Sequence, residues 1–173
     1  LVSKGVKKIL VSGTCSEYGS KSGPISSNVV TSPITDYAKA KDDLRKKLEI
    51  LAVNKDFDFQ WARIFYLFGS GQNEKSLLSQ LDRAIENNEK EFNMSAGEQL
   101  RDYLPVEEVA KQLFELYKSE KTGVHNICSG KPVSVKTLVN RHLKKRNSKI
   151  NINFGYFPYL EHEPMEFWGI KNF

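Results

Sequence analysis

Apolar residues fall along this chain in short runs and in helical stripes. Residues 8–12 (KILVS) form a short apolar run with a β-branched member, stopped by Gly13, which predicts a buried strand. Residues 19–32 are rich in Gly, Ser and Pro and read as a loop. From there Tyr37, Lys41, Leu44, Leu48 and Leu51 recur at spacings of four and three. That rhythm predicts a helix over 37–53 with those residues on one face, capped by Thr35 or Asp36. An aromatic-rich run at 57–68, ended by Gly69-Ser70-Gly71, predicts a second buried strand. Helices are expected over 76–87, over 106–117 with Glu107 and Glu108 favouring the start of its dipole, and over 134–143 behind a Ser134 cap. Residues 91–103 read as a hairpin around Ser95-Ala96-Gly97, and 124–127 and 150–154 as strands.

Strands alternating with helices define an α/β chain with some parallel sheet. No internal repeat or low-complexity segment interrupts it. The apolar runs stay far below the roughly 20 residues of a membrane helix, and residues 9–11 are too few for a signal-peptide core, so a cytoplasmic protein without a membrane partner is expected. The chain starts with Leu1 rather than Met and opens almost directly into a strand, which suggests a piece of a longer protein.

Composition adds little and excludes something. With 39% apolar and 27% charged residues, the 173-residue chain is ordinary for a globular protein with a core. Its net charge of +5 is densest over residues 141–146, with Lys149 following. No nucleic-acid-binding motif accompanies that run, and Leu138, Val139 and Leu143 beside it predict an amphipathic helix with a solvated basic face. No nucleic-acid partner is expected. Two cysteines, Cys15 and Cys128, are too few and too far apart for a disulfide framework or a CxxC site, and no metal is expected.

The candidate chemistry lies near the first strand. Tyr37 and Lys41 form Tyr-x-x-x-Lys, and residues four apart on a helix share a face. A phenol with a pKa near 10 is a poor base at neutral pH, and a neighbouring ammonium lowers it. Such a pair passes a proton to or from a hydroxyl while hydride moves elsewhere. Alone the spacing is weak: Tyr117 and Lys121 repeat it where a solvated helix end is expected. Thr14 strengthens the first instance, because it stands just past a predicted strand, where open α/β sheets bind ligands.

Five segments in order carry a resemblance: SGTCSEYG (12–19), PITDYAKAK (33–41), ARIFYLFGSGQ (62–72), GEQLRDYLPVEEVA (97–110) and GVHNICSGKPVSVKTL (123–138). Together they resemble the extended short-chain dehydrogenase/reductases, the NAD-dependent epimerase/dehydratase enzymes of nucleotide-sugar metabolism. The tail FGYFPYLEHEPMEFWG (154–169) looks closest to the branch of CDP-sugar 4-ketoreductases. The resemblance implies the C-terminal part of a Rossmann-like doubly wound parallel sheet plus a smaller α/β substrate-binding region. It implies NAD or NADP as cofactor, a nucleoside-diphosphate sugar as substrate, and a homodimer formed through the helix bearing Tyr37. By the same resemblance Thr14, Tyr37 and Lys41 are catalytic, with Tyr37 and Lys41 also on the cofactor. Thr14, Tyr66 and Arg101 would contact substrate, Arg101 through the diphosphate; a guanidinium fork suits phosphate oxygens. Residues 1–72 would complete the cofactor domain and 73–173 the substrate region, with 104–128 returning to the cofactor domain.

The departures narrow the expectation. Where dehydratases of this kind carry Asp-Glu after the catalytic Thr, this chain has Cys15 and Ser16, and Glu17 comes one place late. That favours 4-ketoreduction or epimerisation over 4,6-dehydration. Leu160 stands where related tails often have Arg, and Glu163 matches a common acidic position. No GxGxxG phosphate loop occurs in these residues, so the N-terminal βαβ unit that holds the pyrophosphate is expected to lie upstream, and this stretch alone to turn over nothing. The alternative is a non-catalytic, cofactor-sensing protein on the same fold.

Overall fold

In a computed structural model, residues 2–161 and 163–173 are described, so His162 of the tail motif lies outside them. The first apolar run becomes β1 (Lys8–Thr14), followed by a short strand β2 (Gly23–Ile25) inside the predicted loop. Helix α1 (Asp36–Lys55) begins where the Thr35 hydroxyl accepts the Ala38 N–H at 3.2 Å, so Thr35 is its cap. Then come β3 (Asp58–Ile64), β4 (Tyr66–Phe68), α2 (Leu77–Glu86), β5 (Glu91–Met94), β6 (Leu100–Arg101) and β7 (Tyr103–Pro105). The chain continues through α3 (Val106–Lys118), β8 (Gly123–Ile127), β9 (Val133–Ser134), α4 (Val135–Arg146), β10 (Asn151–Phe154) and β11 (Glu166–Gly169).

The central sheet runs β1-β3-β8, all parallel, with α1 and α3 as the crossovers. The pleat sends successive β3 side chains to opposite faces. Phe59 and Trp61 pack with Ile9 and Val11 of β1 against Leu48 and Ala52 of α1. Ala62 and Ile64 pack with Leu10 against Val109 and Leu116 of α3. A parallel sheet covered by helices on both faces is a doubly wound layer, the α/β arrangement that the alternating pattern predicts. A second core joins α2 and α4 to β5 and β10 through Leu78, Leu81, Met94, Leu138 and Val139. The basic residues of α4 turn partly inward: His142 meets Asp82 of α2 at 2.7 Å, and Arg146 reaches Asp82 and Glu86 at 3.1 Å. Both cysteines are buried free thiols.

Three expectations are corrected. Residues 91–103 are not a hairpin: β5 pairs in parallel with β10, while β6 pairs with β11 and, antiparallel, with β9. Small residues do make the bend, with Gly97 at φ 71 accepting the Lys136 N–H, but strands far along the chain take the edges. The run at 57–68 is two strands rather than one. It breaks at buried Phe65, and β4 leaves the central sheet to pair with β7. The inward face of α1 is also rotated from the predicted one. Ala38 and Asp42 are buried and Leu48 and Ala52 pack inward, whereas Tyr37, Leu44 and Leu51 are exposed. Charged residues can take the inward side because they satisfy one another: Asp42 meets Arg45 at 2.8 Å and Lys46 at 2.7 Å, and Arg45 meets Glu49 at 2.7 Å. Burial alone would raise the Asp42 pKa, but the hydrogen bonds from Lys46, Arg45 and Thr31 outweigh it and hold the carboxyl below the usual value.

Candidate active site

Thr14 ends β1 and caps the 3-10 turn Cys15–Tyr18 that follows. Its hydroxyl accepts the Ser16 N–H at 3.2 Å and lies 3.3 Å from Ser16 Oγ, while its own N–H donates to Glu17 Oε1 at 2.9 Å. Glu17 is fully buried and holds the turn against β3. Its carboxylate accepts the Trp61 indole N–H at 3.0 Å and Arg63 Nε at 2.7 Å. Arg63 also donates to Ser27 O and lies over the Tyr18 ring, whose hydroxyl donates to Asn126 at 2.6 Å. Glu17 is thereby committed to holding the turn, the strand and Arg63 together. Gly13 permits this approach, because a Cβ there would collide with the Trp61 indole and sit 2.7 Å from Glu17 Oε1.

Tyr37 and Lys41 lie on the first turns of α1, beside this strand end. Lys41 Nζ donates to the carbonyl of Ser12 at 3.0 Å, two residues before Thr14, and Tyr37 is 59% exposed. The second Tyr-x-x-x-Lys comes apart: α3 ends at Lys118, and Lys121 instead donates to Asn172 O.

Two clefts border the site. The first, about 560 Å³, is lined by Cys15 and Ser16, the neighbours of Thr14, by Ile34 and Thr35, which lead into Tyr37, and by Leu160 and Phe167. The second, about 340 Å³, runs along Leu77, Gln80, Phe92, Asn93 and Phe157. Tyr66, Arg101 and Glu163 line both. Arg101 is buried and pairs with Glu163 at 2.8 Å rather than with its neighbour Asp102, whose carboxylate caps the Ser129 and Gly130 N–H groups. Its guanidinium lies 5.9 Å from the Tyr66 ring centre.

Burial sorts the titratable groups. It pushes the Cys15 thiol up to about 12, so Cys15 is a neutral wall and not a nucleophile. It also raises the Tyr66 and Tyr103 phenols, which stay protonated. Tyr37 is open to solvent, four residues before Lys41 on α1. No group of acidic, His or Cys side chains able to hold a metal occurs among the described residues. Glu17, Arg63 and Gln99 are supporting residues that pattern reasoning does not assign; an arginine in the middle of a buried aromatic strand is the one visible signal among them.

A doubly wound sheet with polar groups collected past the carboxyl end of a strand defines the class of α/β proteins that bind ligands at that edge. The chain belongs to the NAD dependent epimerase/dehydratase family, whose sequence pattern matches residues 1–128. It is 31% identical over 168 residues to dTDP-6-deoxy-L-talose 4-dehydrogenase (NAD(+)) of Aggregatibacter actinomycetemcomitans, covering 96% of this chain and 62% of that protein. Its fold matches UDP-N-acetylglucosamine 4-epimerase from Methanobrevibacter ruminantium in complex with UDP-N-acetylmuramic acid, with TM-score 0.89, 23% identity, and coverage of 98% of this chain and 56% of that one. It also matches UDP-glucuronic acid 4-epimerase from Bacillus cereus in complex with UDP-glucuronic acid and NAD, with TM-score 0.82, 21% identity, and coverage of 97% and 55%. The fold is Rossmann-like, and the chain spans 40–62% of the length of the curated relatives it matches. Among the described residues, no helix is long and apolar enough to cross a membrane.

Proposed function

We propose that this chain carries the catalytic and substrate-binding residues of an NAD(P)-dependent enzyme acting on a nucleoside-diphosphate sugar. The observation that carries the reading is the shared wall of Tyr66, Arg101 and Glu163. A sugar in the cleft beside Thr14 and Tyr37, and a nucleoside in the cleft beside Phe92 and Phe157, would have their connecting diphosphate at Arg101. Residues 1–72, with 104–128, form the cofactor side, and the remainder of 73–173 forms mainly the substrate side.

The residues present fit the nicotinamide end of a dinucleotide. Tyr37 and Lys41 would hold its ribose, since Lys41 spends one of its three ammonium protons on Ser12 O and keeps two. The pyrophosphate loop is not among these 173 residues. When bound, the nicotinamide supplies or accepts hydride at the reacting sugar carbon. In the reducing direction, Tyr37 gives its phenolic proton to the carbonyl oxygen as the C–O bond becomes an alcohol. The Lys41 charge offsets the phenolate left behind, and the Thr14 hydroxyl holds the oxygen in place.

The turn after Thr14 supports ketoreduction or epimerisation over 4,6-dehydration. Cys15 is a neutral thiol, Ser16 has no carboxylate, and Glu17 is locked to Trp61 and Arg63. The test is turnover by the whole protein of UDP-, CDP-, GDP- and dTDP-sugars and their 4-keto forms. Nicotinamide absorbance and product stereochemistry would be followed together. Binding of cofactor with neither an absorbance change nor an epimer from any of them would overturn the enzyme reading.

A further inference from the structure

A third cavity, about 550 Å³, opens between helix α1, the loop ahead of it and the start of β8. It shares no lining residue with either cleft described above. Three ionisable side chains line it, Arg45, Lys46 and Arg63, and all three are cationic. No carboxylate of the described residues lines it.

The acids that hold these cations stay out of the cavity. Glu17 accepts Arg63 Nε at 2.7 Å, and Asp42 meets Arg45 at 2.8 Å and Lys46 at 2.7 Å. Glu17 and Asp42 are wholly buried, and Glu49, the other partner of Arg45, does not line the cavity. Each ion pair is therefore a dipole with its positive member on the cavity wall. A cleft walled by one sign of charge concentrates its field on an occupant of the opposite sign.

The donors keep capacity for such an occupant. Lys46 meets Asp42 through one ammonium group that carries three protons. Arg63 commits Nε to Glu17 and NH1 to the Ser27 carbonyl, and its NH2 takes part in neither bond. The Arg63 side chain is 3% exposed, so it is a fixed part of the wall, whereas Lys46 stands out to solvent. Val29, Val30 and Val124 supply an apolar flank. The volume is within the ~300–1,000 Å³ of small-molecule pockets.

We propose that this cavity is a binding site for a small organic anion. Lys46 and Arg63 hold its carboxylate or phosphate ester group, and Val30 and Val124 border its apolar part. Carboxylate and phosphate share the acceptor oxygens that ammonium and guanidinium groups recognise. The site stands apart from the sugar-nucleotide reading, since none of the residues assigned there lines it.

The experiment is calorimetric titration of the whole protein, at constant ionic strength, with phenyl phosphate, benzoate and benzyl alcohol. The first two present each anionic group on one ring, and the third presents the ring without charge. Wild type should bind at least one anion, and benzyl alcohol about tenfold more weakly or worse. Lys46→Gln should weaken the tighter anion about tenfold, the worth of a charge-assisted hydrogen bond. Val30→Glu should weaken it at least as much by setting a carboxylate at the cavity. Val30 is 79% exposed, so that variant folds even if Lys46→Gln disturbs Asp42. Phenyl phosphate binding more tightly than benzoate assigns a phosphate ester, and the reverse a carboxylate. Unchanged anion affinity in either folded variant would place the anion in another cleft and overturn the proposal. So would benzyl alcohol binding as tightly as the anions, or no binding of either anion by wild type.

Discussion

Lys41 crosses from α1 to donate to the carbonyl of Ser12 at 3.0 Å, two residues before Thr14. The bond sets the ammonium at the strand end independently of any ligand. Two roles are therefore joined in one side chain: it anchors the helix to β1, and it brings positive charge to the neighbourhood of the Tyr37 phenol.

Replacing Tyr37 by Phe should lower kcat of the whole protein by about 10²–10⁴, the usual worth of a positioned acid–base group, with little change in stability. Tyr37 is largely exposed, so its hydroxyl contributes no packing. Steady-state kinetics with a sugar nucleotide, beside thermal unfolding, checks both halves. Unchanged kcat would remove Tyr37 from the chemistry.

Lys41→Met should lower kcat, because it removes both the anchor on the Ser12 carbonyl and the charge that would offset a phenolate. Lys41→Arg should restore part of the rate. An unchanged kcat in Lys41→Met, with lowered thermal stability, would show that the ammonium acts only as an anchor.

The buried Glu17–Arg63 pair predicts asymmetric costs. Both side chains are essentially inaccessible at 0% and 3%. Removing one partner, as in Arg63→Met or Glu17→Gln, should destabilise by roughly 3–5 kcal/mol, because the other is left buried and uncompensated. The double variant should cost less than the sum, and urea denaturation of the four proteins measures the difference. Gly13→Ala should cost about 1–3 kcal/mol by forcing Trp61 away from Glu17.

His125 predicts an acid-side loss of stability. Burial, with the nearby Lys121 charge, holds its pKa below the usual 6.5 despite the bond to Thr122 O. Its neutral ring has a place for each nitrogen: Nε2–H donates to Thr122 O at 3.0 Å, and Nδ1 accepts from Asn172 Nδ2 at 3.2 Å. The unfolded chain takes up a proton first, so this contribution is complete above about pH 6.5 and declines as pH falls from there through the folded-state pKa. Denaturation midpoints between pH 5 and 8 should show that slope in wild type and a flatter one in His125→Gln.

Periodicity exposed what depends on neighbours in sequence. The strand at Lys8, the Thr35 and Ser134 caps and the amphipathic α4 follow from local rules, and all are present. Pairing partners were not legible in the same way. Nothing near Glu91 announces that β5 will lie beside β10, sixty residues on. The face of α1 was misjudged because apolar spacing ignores the option of burying charges that neutralise one another, as Asp42 and Arg45 do. Among the candidate site residues, Thr14 and Lys41 follow from residue type and spacing, and Arg101 from the resemblance alone.

The stretch from Arg63 to Tyr66 is a gauge. At one end Arg63 grips Glu17, and through it the Thr14 turn; at the other Tyr66 borders both clefts. Between them Phe65 is the point where the chain leaves one sheet for another. Side chains on extended backbone alternate sides, so adding or deleting a single residue here would turn one of the two ends away from its partner. Over generations a codon gained or lost here would therefore sever one end from its partner, whichever residues the segment carried.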